Sequence, residues 1–276
     1  TKKVILEDYT GLKCGWCPEG TVILEGLEAA NPNSLITIGM HCGGYEPASS
    51  PLKNPDAEAI IQNSSIKATG FPAGAVDRKV ISGGKAAMGR GSWANAFNQQ
   101  KATTAIVSVG FANKAYDPTT KEYTADVNVE FTAAHTGKIA LQVYAIEDSI
   151  AATGNLAQDN YSNSIQGGAS PLTNWYHNRT FRAQLTGSAW GDATTVPASA
   201  DAGKVYTYKL KFKADAAWNA AQVHLVAFVA NDDLTDKEIH NAEETHLNTF
   251  FPTNINTVNN AVTIESVYPN PASDEA

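Results

Sequence analysis

Apolar and polar positions follow two different patterns along the chain, and the change falls near residue 104. Before it, short apolar runs alternate with segments whose apolar residues recur at helical spacing. This pattern predicts strands beginning at Val4, Ser34 and Ala75, and helices over residues 21–30, 56–66 and 91–101. Asp56 is expected to cap the second of these helices. We therefore predict an α/β domain over residues 1–103.

After residue 104 the pattern is typical of half-buried strands separated by turns. Such strands are predicted over residues 106–111, 123–131, 139–146, 205–212 and 223–229. They indicate an antiparallel β-sandwich of the immunoglobulin or fibronectin kind over residues 104–264. Residues 151–203 interrupt it as a long insertion, which at this length is expected to have a structure or a role of its own. Residues 265–276 form a polar linker or the start of a tail.

Composition narrows the range of partners. The chain has 276 residues, 43% of them apolar, and a net charge of −8 without a Lys/Arg-rich run. These values argue against nucleic acid and against an anionic membrane surface. No apolar run reaches the roughly 20 residues of a membrane helix. Few basic residues and only three cysteines are typical of an exported bacterial protein. Because the chain begins directly before a strand, we expect a removed leader or a trimmed start.

Cys14 and Cys17 carry the most specific chemistry of the chain. They stand between the first predicted strand and the first predicted helix. Unpaired backbone N–H groups at a helix N-terminus favour a thiolate over a thiol, and Lys13 acts in the same direction. Two interpretations stay open, a working thiol–disulfide couple and a fixed disulfide that braces the start of the helix.

Acidic and histidine side chains near the cysteines are candidates for proton transfer. Asp8, or Glu7 if the strand register differs by one residue, is a candidate for a buried acid that exchanges a proton with Cys17. His41 follows the second strand and is a candidate proton acceptor, although a loop hydrogen bond explains it equally well. Cys42 is expected to be a buried free thiol.

A zinc site is the third interpretation of the same residues, with the three cysteines and His41 as ligands. Adjacent residues at a strand end point to opposite faces, so His41 and Cys42 are poorly placed to bind one tetrahedral ion. We therefore predict no metal and no cofactor.

Asp8, the Cys14–Cys17 pair and the Gly-Phe-Pro sequence at residues 70–72 together resemble the thioredoxin superfamily. The resemblance implies an acid beneath the thiols, and a cis-proline loop that lies against the cysteines and binds extended peptides. Pro72 is the matching proline, so a cis Phe71–Pro72 bond is predicted. Trp16, Phe71 and Pro72 are then the candidate substrate-binding residues.

A closer resemblance is to the Omp28-related outer membrane protein family of Bacteroidetes. The segments that carry it are residues 6–11, 14–18, 38–41, 70–74, 77–78, 175–182 and 226–229. The resemblance implies that the protein is exported and belongs to the cell envelope. It is then expected at the outer-membrane surface, in secreted form or in the periplasm. Cys42 departs from the family, which usually has a small residue after the histidine. Residues 267–274 resemble the start of a type IX secretion sorting domain.

Two hypotheses about function result. The first is a thiol–disulfide oxidoreductase for exported proteins, in which Cys14 attacks a substrate disulfide and Cys17 resolves the mixed disulfide. The second is a non-enzymatic surface adhesin or binding protein, in which Cys14–Cys17 is structural and surface ligands are the partners.

The aromatic and basic cluster at residues 175–182 is expected to pack a loop, with its arginines paired internally. The sequence predicts no oligomeric state.

Overall fold

Strand β1 (Val4–Thr10) lies inside the main sheet, and all of its residues are buried. The computed structural model describes residues 2–251, so the predicted tail at residues 265–276 lies outside the described residues. Three α-helices are present in this range: α1 (Cys17–Ala30), α2 (Pro55–Gln62) and α3 (Trp93–Lys101). No helix in the described range is both long and apolar enough to cross a bilayer.

Fourteen further strands follow β1 in the described range. They are β2 (Leu35–His41), β3 (Ala73–Val76), β4 (Ala87–Gly89), β5 (Val107–Asp117), β6 (Glu122–Phe131), β7 (His135–Thr136), β8 (Ile139–Glu147), β9 (Ile150–Ala151), β10 (Tyr176–His177), β11 (Thr180–Gln184), β12 (Ser199–Ala200), β13 (Val205–Phe212), β14 (Val223–Asn231) and β15 (Ile239–His246).

The main sheet has eight strands in the order β15-β14-β8-β11-β2-β1-β3-β4. The β1–β2 and β2–β11 pairs are parallel, and the other pairs in this sheet are antiparallel. Strand β11 comes from the long insertion and joins the two halves, with Thr180 opposite Gly39 of β2. The sheet therefore runs across the predicted boundary near residue 104. The division of the chain at that boundary stays a prediction.

Helices cover both faces of the sheet at β1. Val4 and Leu6 pack on one face against Leu24 of α1 and Trp93 of α3. Ile5 packs on the other face, in the cluster that includes Ile60 of α2. Because successive strand residues point to opposite faces, Asp8 shares the α1 face with Leu6, and Glu7 shares the α2 face with Ile5.

A second, three-stranded sheet in the order β13-β6-β5 packs against the β8–β14 part of the main sheet. The strands of this layer are antiparallel to one another. Its inward residues include Val109, Val127 and Phe131, which share one apolar cluster with Val143 and Leu225 of the main sheet. An α/β part and an antiparallel β part therefore make up the described chain, and the alternating pattern predicted five of the six strands of eight or more residues in the β part.

Several local predictions were wrong. Helix α2 ends at Gln62 and not at residue 66. The N-cap of α2 is Asn54 and not Asp56, because the Asn54 side chain accepts a hydrogen bond of 2.8 Å from the backbone N–H of Asp56. Strand β15 was missed because it is largely polar, with Asn241 buried and Glu243 and Glu244 half-buried, so it lacks the apolar alternation that marks a strand.

Candidate functional site

Cys14 and Cys17 form a disulfide at the N-terminus of α1, with their Cα atoms 5.3 Å apart. A tight turn brings them together, since the backbone N–H of Cys17 donates to the carbonyl oxygen of Cys14 at 3.1 Å. Pro18 stands in the first turn of the helix, where its missing N–H costs no hydrogen bond. Cys14 is 2% exposed and Cys17 is 1% exposed, so solvent does not reach the disulfide in this state.

Pro72 lies against the helix that carries the disulfide. A Cβ atom added at Gly20, one turn after Cys17, would lie 2.9 Å from the Cβ of Pro72, so only glycine permits this close approach. The Phe71–Pro72 peptide bond is cis. The Phe71 ring points elsewhere and packs against Tyr45, with 5.6 Å between the ring centroids. Substrate binding by Phe71 and Pro72 stays a prediction.

Asp8 is a buried acid on the α1 side of the sheet. It lines a cavity of about 30 Å³ together with Thr21 and Gln158. Thr21 donates a hydrogen bond to the carbonyl oxygen of Cys17 at 3.3 Å, and Gln158 donates one to the carbonyl oxygen of Cys14 at 3.2 Å. The cavity that Asp8 faces therefore adjoins the backbone of both disulfide cysteines, and it is large enough for a water molecule.

The environment of Asp8 favours its protonated form. Burial raises the pKa of the Asp8 carboxyl to about 8. Among residues 2–251, no donor or acceptor lies within hydrogen-bonding distance of Asp8 Oδ1. An unpaired buried carboxylate is costly, so the group is neutral at pH 7. At this pH Asp8 holds a proton that it can give to a neighbouring base.

His41 also lines this cavity, and its ring is fixed by two neighbours. Its Nδ1 donates to Glu46 Oε2 at 2.8 Å, which leaves Nε2 as the nitrogen that can accept a proton. The ring of His177 lies edge-on to it, with 5.0 Å between centroids. Burial and the nearby His41 lower the pKa of His177 to about 4. His177 is therefore neutral, and its Nε2–H donates to the carbonyl oxygen of Leu156 at 2.9 Å.

Glu46 connects His41 to the turn that carries the cysteines. Its Oε2 accepts a second hydrogen bond of 3.0 Å from the backbone N–H of Leu12. Burial alone would raise the pKa of Glu46, but the hydrogen bond and charge of His41, together with hydrogen bonds from Ser50 and the Leu12 backbone, outweigh burial and lower it. Glu46 is therefore ionised, and it holds His41 in one orientation beside the cavity.

Glu7 lies on the opposite face and does not reach this cavity. Its carboxylate binds the guanidinium of Arg78 through two hydrogen bonds of 2.9 and 2.5 Å, and both side chains are buried. Tyr144 completes this group with a hydroxyl that accepts from Arg78 Nη2 at 2.7 Å. The β1 register thus selects Asp8, and not Glu7, as the acid on the disulfide side of the sheet.

Cys42 is a buried free thiol on the α2 face. Its Sγ donates to the carbonyl oxygen of Met40 at 3.1 Å, and burial raises its pKa well above the ordinary value. Its neighbour His41 points to the other face, into the cavity. Within residues 2–251 no group of three or more His, Cys, Asp or Glu side chains is arranged to hold a metal ion.

A segment of the long insertion, residues 158–161, covers the disulfide turn. We call it the covering segment. Its backbone N–H groups at Asp159 and Tyr161 donate to the carbonyl oxygens of Leu12 and Gly15, at 2.9 and 2.7 Å. The Tyr161 ring lies directly on Gly15, where an added Cβ would be 2.4 Å from ring carbons.

The Gln158 side chain adds to this cover. Its Nε2 lies within 3.3 Å of the carbonyl oxygens of Gly11, Leu12 and Cys14. Lys13 is paired with Asp159 at 3.3 Å on the surface. This arrangement could not be predicted from the sequence, because Gln158 and Tyr161 stand about 145 positions after the turn in a segment without periodicity. Glu46, in a loop 32 positions after Cys14, was missed as well, and His177 was noted only as a member of the cluster at residues 175–182.

The arginines of the aromatic and basic cluster at residues 175–182 are paired within the protein, as predicted, whereas Tyr176 of the same cluster is exposed. Arg179 binds Glu244 through two hydrogen bonds of 2.7 and 2.8 Å, and Arg182 is 3.3 Å from Glu147. His177, from the same cluster, reaches the cavity beside Asp8.

Comparison with known proteins identifies the family. A family model described as outer membrane protein Omp28 matches residues 60–249, well over half of the chain. This chain belongs to the Omp28 family. Omp28 proteins belong to the cell envelope, and so does this one. The matched residues begin after Cys17, so membership by itself says nothing about the chemistry of the disulfide.

Solved structures show the fold that this Omp28 protein shares with others. HBP35 of Porphyromonas gingivalis superposes with a TM-score of 0.69 and 20% identity, over 92% of this chain and 77% of that one. A crystal structure of a protein from Agrobacterium tumefaciens superposes with a TM-score of 0.52 and 8% identity. The match covers 88% of this chain and 94% of that one. A domain of the outer membrane lipoprotein Omp28 of Porphyromonas gingivalis has a TM-score of only 0.28 and 17% identity. The match covers 52% of this chain and 88% of that one. No curated protein sequence matches this chain.

Proposed function

We propose that this Omp28 protein carries out thiol–disulfide exchange with exported proteins in the cell envelope, through Cys14 and Cys17. The observation that carries the proposal is Asp8, a buried acid that has no hydrogen-bond partner for Oδ1 in the described chain and whose pKa is raised to about 8. A disulfide that only braces a helix has no use for such a group, and burying it weakens the fold. Perturbed acids of this kind are typical of reactive sites.

The proposed reaction begins from the disulfide form. A thiolate of a substrate dithiol attacks Cys14 Sγ, the Cys14–Cys17 bond breaks, and a mixed disulfide joins the substrate to Cys14. Cys17 leaves with the electron pair and takes a proton that Asp8 supplies through the cavity. The second substrate thiolate then attacks the substrate sulfur, which forms the substrate disulfide and releases Cys14. Two electrons pass to the cysteine pair, and the reverse sequence returns the proton to Asp8.

A thioredoxin-like arrangement of residues 1–103 is part of the proposal. It is supported by the parallel β1–β2 pair, the antiparallel β1–β3–β4 edge, helices on both faces, and the cis Phe71–Pro72 bond beside α1. The two-sheet packing of the β part supports an immunoglobulin-like sandwich. The resemblance of residues 267–274 to a sorting domain supports export across the outer membrane.

A second candidate function is favoured by the burial of the cysteines. Both are at most 2% exposed, and the covering segment closes over them. A disulfide in this position would serve as a structural bridge in a surface adhesin or binding protein. Under this alternative, the bridge would resist reduction as long as the protein stays folded.

Redox titration and trapping separate the two candidates. The protein with Cys42→Ser is equilibrated with glutathione buffers, and free thiols at Cys14 and Cys17 are counted by alkylation and mass spectrometry. Exchange predicts a reversible two-electron transition in the folded protein. A Cys17→Ser, Cys42→Ser variant should then trap envelope proteins on Cys14, whereas Cys14→Ser, Cys17→Ser, Cys42→Ser should trap none. A disulfide that is reduced only after unfolding would reject the exchange reaction.

A further inference from the structure

The exposed aromatic side chains of this protein are concentrated around the disulfide. Within residues 2–251, five aromatic side chains are at least 40% exposed, and four of them lie around the disulfide turn or the cavity beside it: Trp16, Tyr45, Tyr161 and Tyr176. Trp16 stands between the two cysteines, and the Tyr45 carbonyl accepts a hydrogen bond from the backbone N–H of Lys13. Aromatic residues exposed together in this way are typical of surfaces that bind polypeptides.

The covering segment shows which chemistry this surface binds. It lies across the disulfide turn and donates two backbone hydrogen bonds, to the carbonyl oxygens of Leu12 and Gly15. Its Tyr161 ring rests on Gly15 and meets the Trp16 ring edge-on, with 6.2 Å between centroids. These contacts use backbone N–H groups and one aromatic ring, which any extended peptide with an aromatic residue can supply.

The covering segment belongs to a loop that has its own internal structure. The backbone N–H of Leu172 donates to the carbonyl oxygen of Gln158 at 2.9 Å and closes the loop. Inside it, Asn160 Nδ2 donates to the carbonyl oxygens of Ser162, Ile165 and Ala169, each at 3.1 Å. Such a loop can leave the disulfide turn as a unit without losing these bonds.

We infer that the surface formed by Leu12, Gly15 and Trp16 is a docking site for an extended polypeptide with an aromatic residue, and that residues 158–161 occupy it in the closed protein. This inference rests on the proposed exchange function and names its substrate class. The covering segment must therefore leave this surface before a substrate segment with an aromatic residue can bind there. Lys13, paired with Asp159, adds a preference for an acidic residue two positions before the aromatic one.

Two substitutions open the site by different routes. Tyr161→Ala removes the ring, and Gly15→Ala places a methyl group where the ring lies, 2.4 Å from its carbons. Either variant should raise the rate at which dithiothreitol reduces Cys14–Cys17 about three- to tenfold. The reason is that the rate follows the fraction of molecules in which the covering segment has left the disulfide turn. Gly26→Ala, in the helix α1 that follows the disulfide turn, is the matched control, because no atom lies within 4 Å of its added Cβ. Equal rates in all four proteins would overturn the inference.

Peptide binding tests the site without redox chemistry. The probe is a synthetic peptide of residues 156–163, Leu-Ala-Gln-Asp-Asn-Tyr-Ser-Asn, and its counterpart with Ala in place of Tyr. The disulfide form of Tyr161→Ala should bind the Tyr peptide at least about fivefold more tightly than the Ala peptide, as the loss of an aromatic contact implies. Adding Gly15→Ala should abolish this preference, because the methyl group blocks the ring. No preference in Tyr161→Ala would overturn the inference.

The inference and the proposed function fail in different ways. If the exchange reaction is absent, the Tyr peptide still binds, but no envelope protein is trapped on Cys14. If the docking site is absent, trapping on Cys14 still occurs, while the peptides bind equally and opening the loop leaves the reduction rate unchanged.

Discussion

Asp8 and His41 line the same buried cavity because β1 and β2 run parallel in one register. Asp8 stands opposite Gly39, and Thr10 stands opposite His41. All four residues line the cavity next to α1. Residues two apart on a strand share a face, so this register brings an acid and an imidazole together in a cavity that adjoins the backbone of the disulfide turn. A Cβ atom added at Gly39 would lie 3.4 Å from the carbonyl oxygen of Asn178, so a larger residue there would press against the backbone of a segment that also lines the cavity.

Asp8→Asn should stabilise the folded protein at neutral pH. The pKa of Asp8 is about 8 in the folded state and 3.8 as the ordinary value. Between these values the folded state binds more protons, so the free energy of unfolding of the wild type falls as pH rises through this window. The variant has no such loss. Its free energy of unfolding should exceed that of the wild type by about 1–3 kcal/mol at pH 7 and should equal it below pH 4. Urea titrations at pH 4, 7 and 8.5 measure this, and a destabilised variant at pH 7 would refute it.

Glu7→Gln should destabilise the protein strongly. Burial alone would lower the pKa of Arg78, but Glu7 outweighs it and raises that pKa, so Arg78 stays charged. Without its carboxylate partner, the buried guanidinium costs on the order of 3 kcal/mol. Asp126→Asn is the control, because it breaks an ion pair with the exposed Lys209 at the protein surface and should have a much smaller effect on the urea midpoint. Similar urea midpoints for the two variants would contradict the prediction.

Two histidines, the buried His177 and the half-buried His224, should titrate at opposite ends of the pH range. His177 has a pKa of about 4 because of burial and the nearby His41. For His224, burial alone would lower the pKa, but hydrogen bonds with Asp148 and Glu244 outweigh it and raise the pKa to about 9. Imidazole resonances followed by NMR from pH 3.5 to 9.5 should show both transitions.

These two shifts change stability in opposite directions. The stability from neutral His177 is present above pH 6.5 and lost as pH falls towards 4, whereas that from charged His224 is present below 6.5 and lost as pH rises through 9. In the pH profile of the free energy of unfolding, His177→Asn should remove the loss towards pH 4, and His224→Asn should remove the loss through pH 9. Two resonances that both titrate near 6.5 would show that the environments of the two rings differ from those described.

Local sequence features predicted the parts of the site that lie close together in the chain. The spacing of Cys14 and Cys17, with an apolar strand before and a helix after, was sufficient to place them at a helix N-terminus. Contacts between distant segments were not predictable. Arg78 and Tyr161 are ordinary polar or aromatic residues in sequence, and only the strand pairing and the path of the insertion bring them to Glu7 and Gly15.

Strand β11 shows the same limit on a larger scale. It is five residues long and lies within an insertion rich in Asn, Ser and Gly, yet it joins β2 to β8. Short strands carry too few alternating positions to stand out, so the continuity of the sheet could not be read from the pattern. The buried acid was predicted as a pair of candidates, and the register of β1 was needed to choose Asp8.

The most direct test of the account is the pH dependence of disulfide reduction in the wild type and in Asp8→Asn. The rate with dithiothreitol is measured from pH 6 to 10 and divided by the thiolate concentration of the reagent. Protonated Asp8 assists the departure of Cys17, so the corrected wild-type rate should be high below pH 8 and fall above it, while that of Asp8→Asn should be lower and constant. Superimposable profiles would contradict the role of Asp8 and, with it, the proposed exchange mechanism.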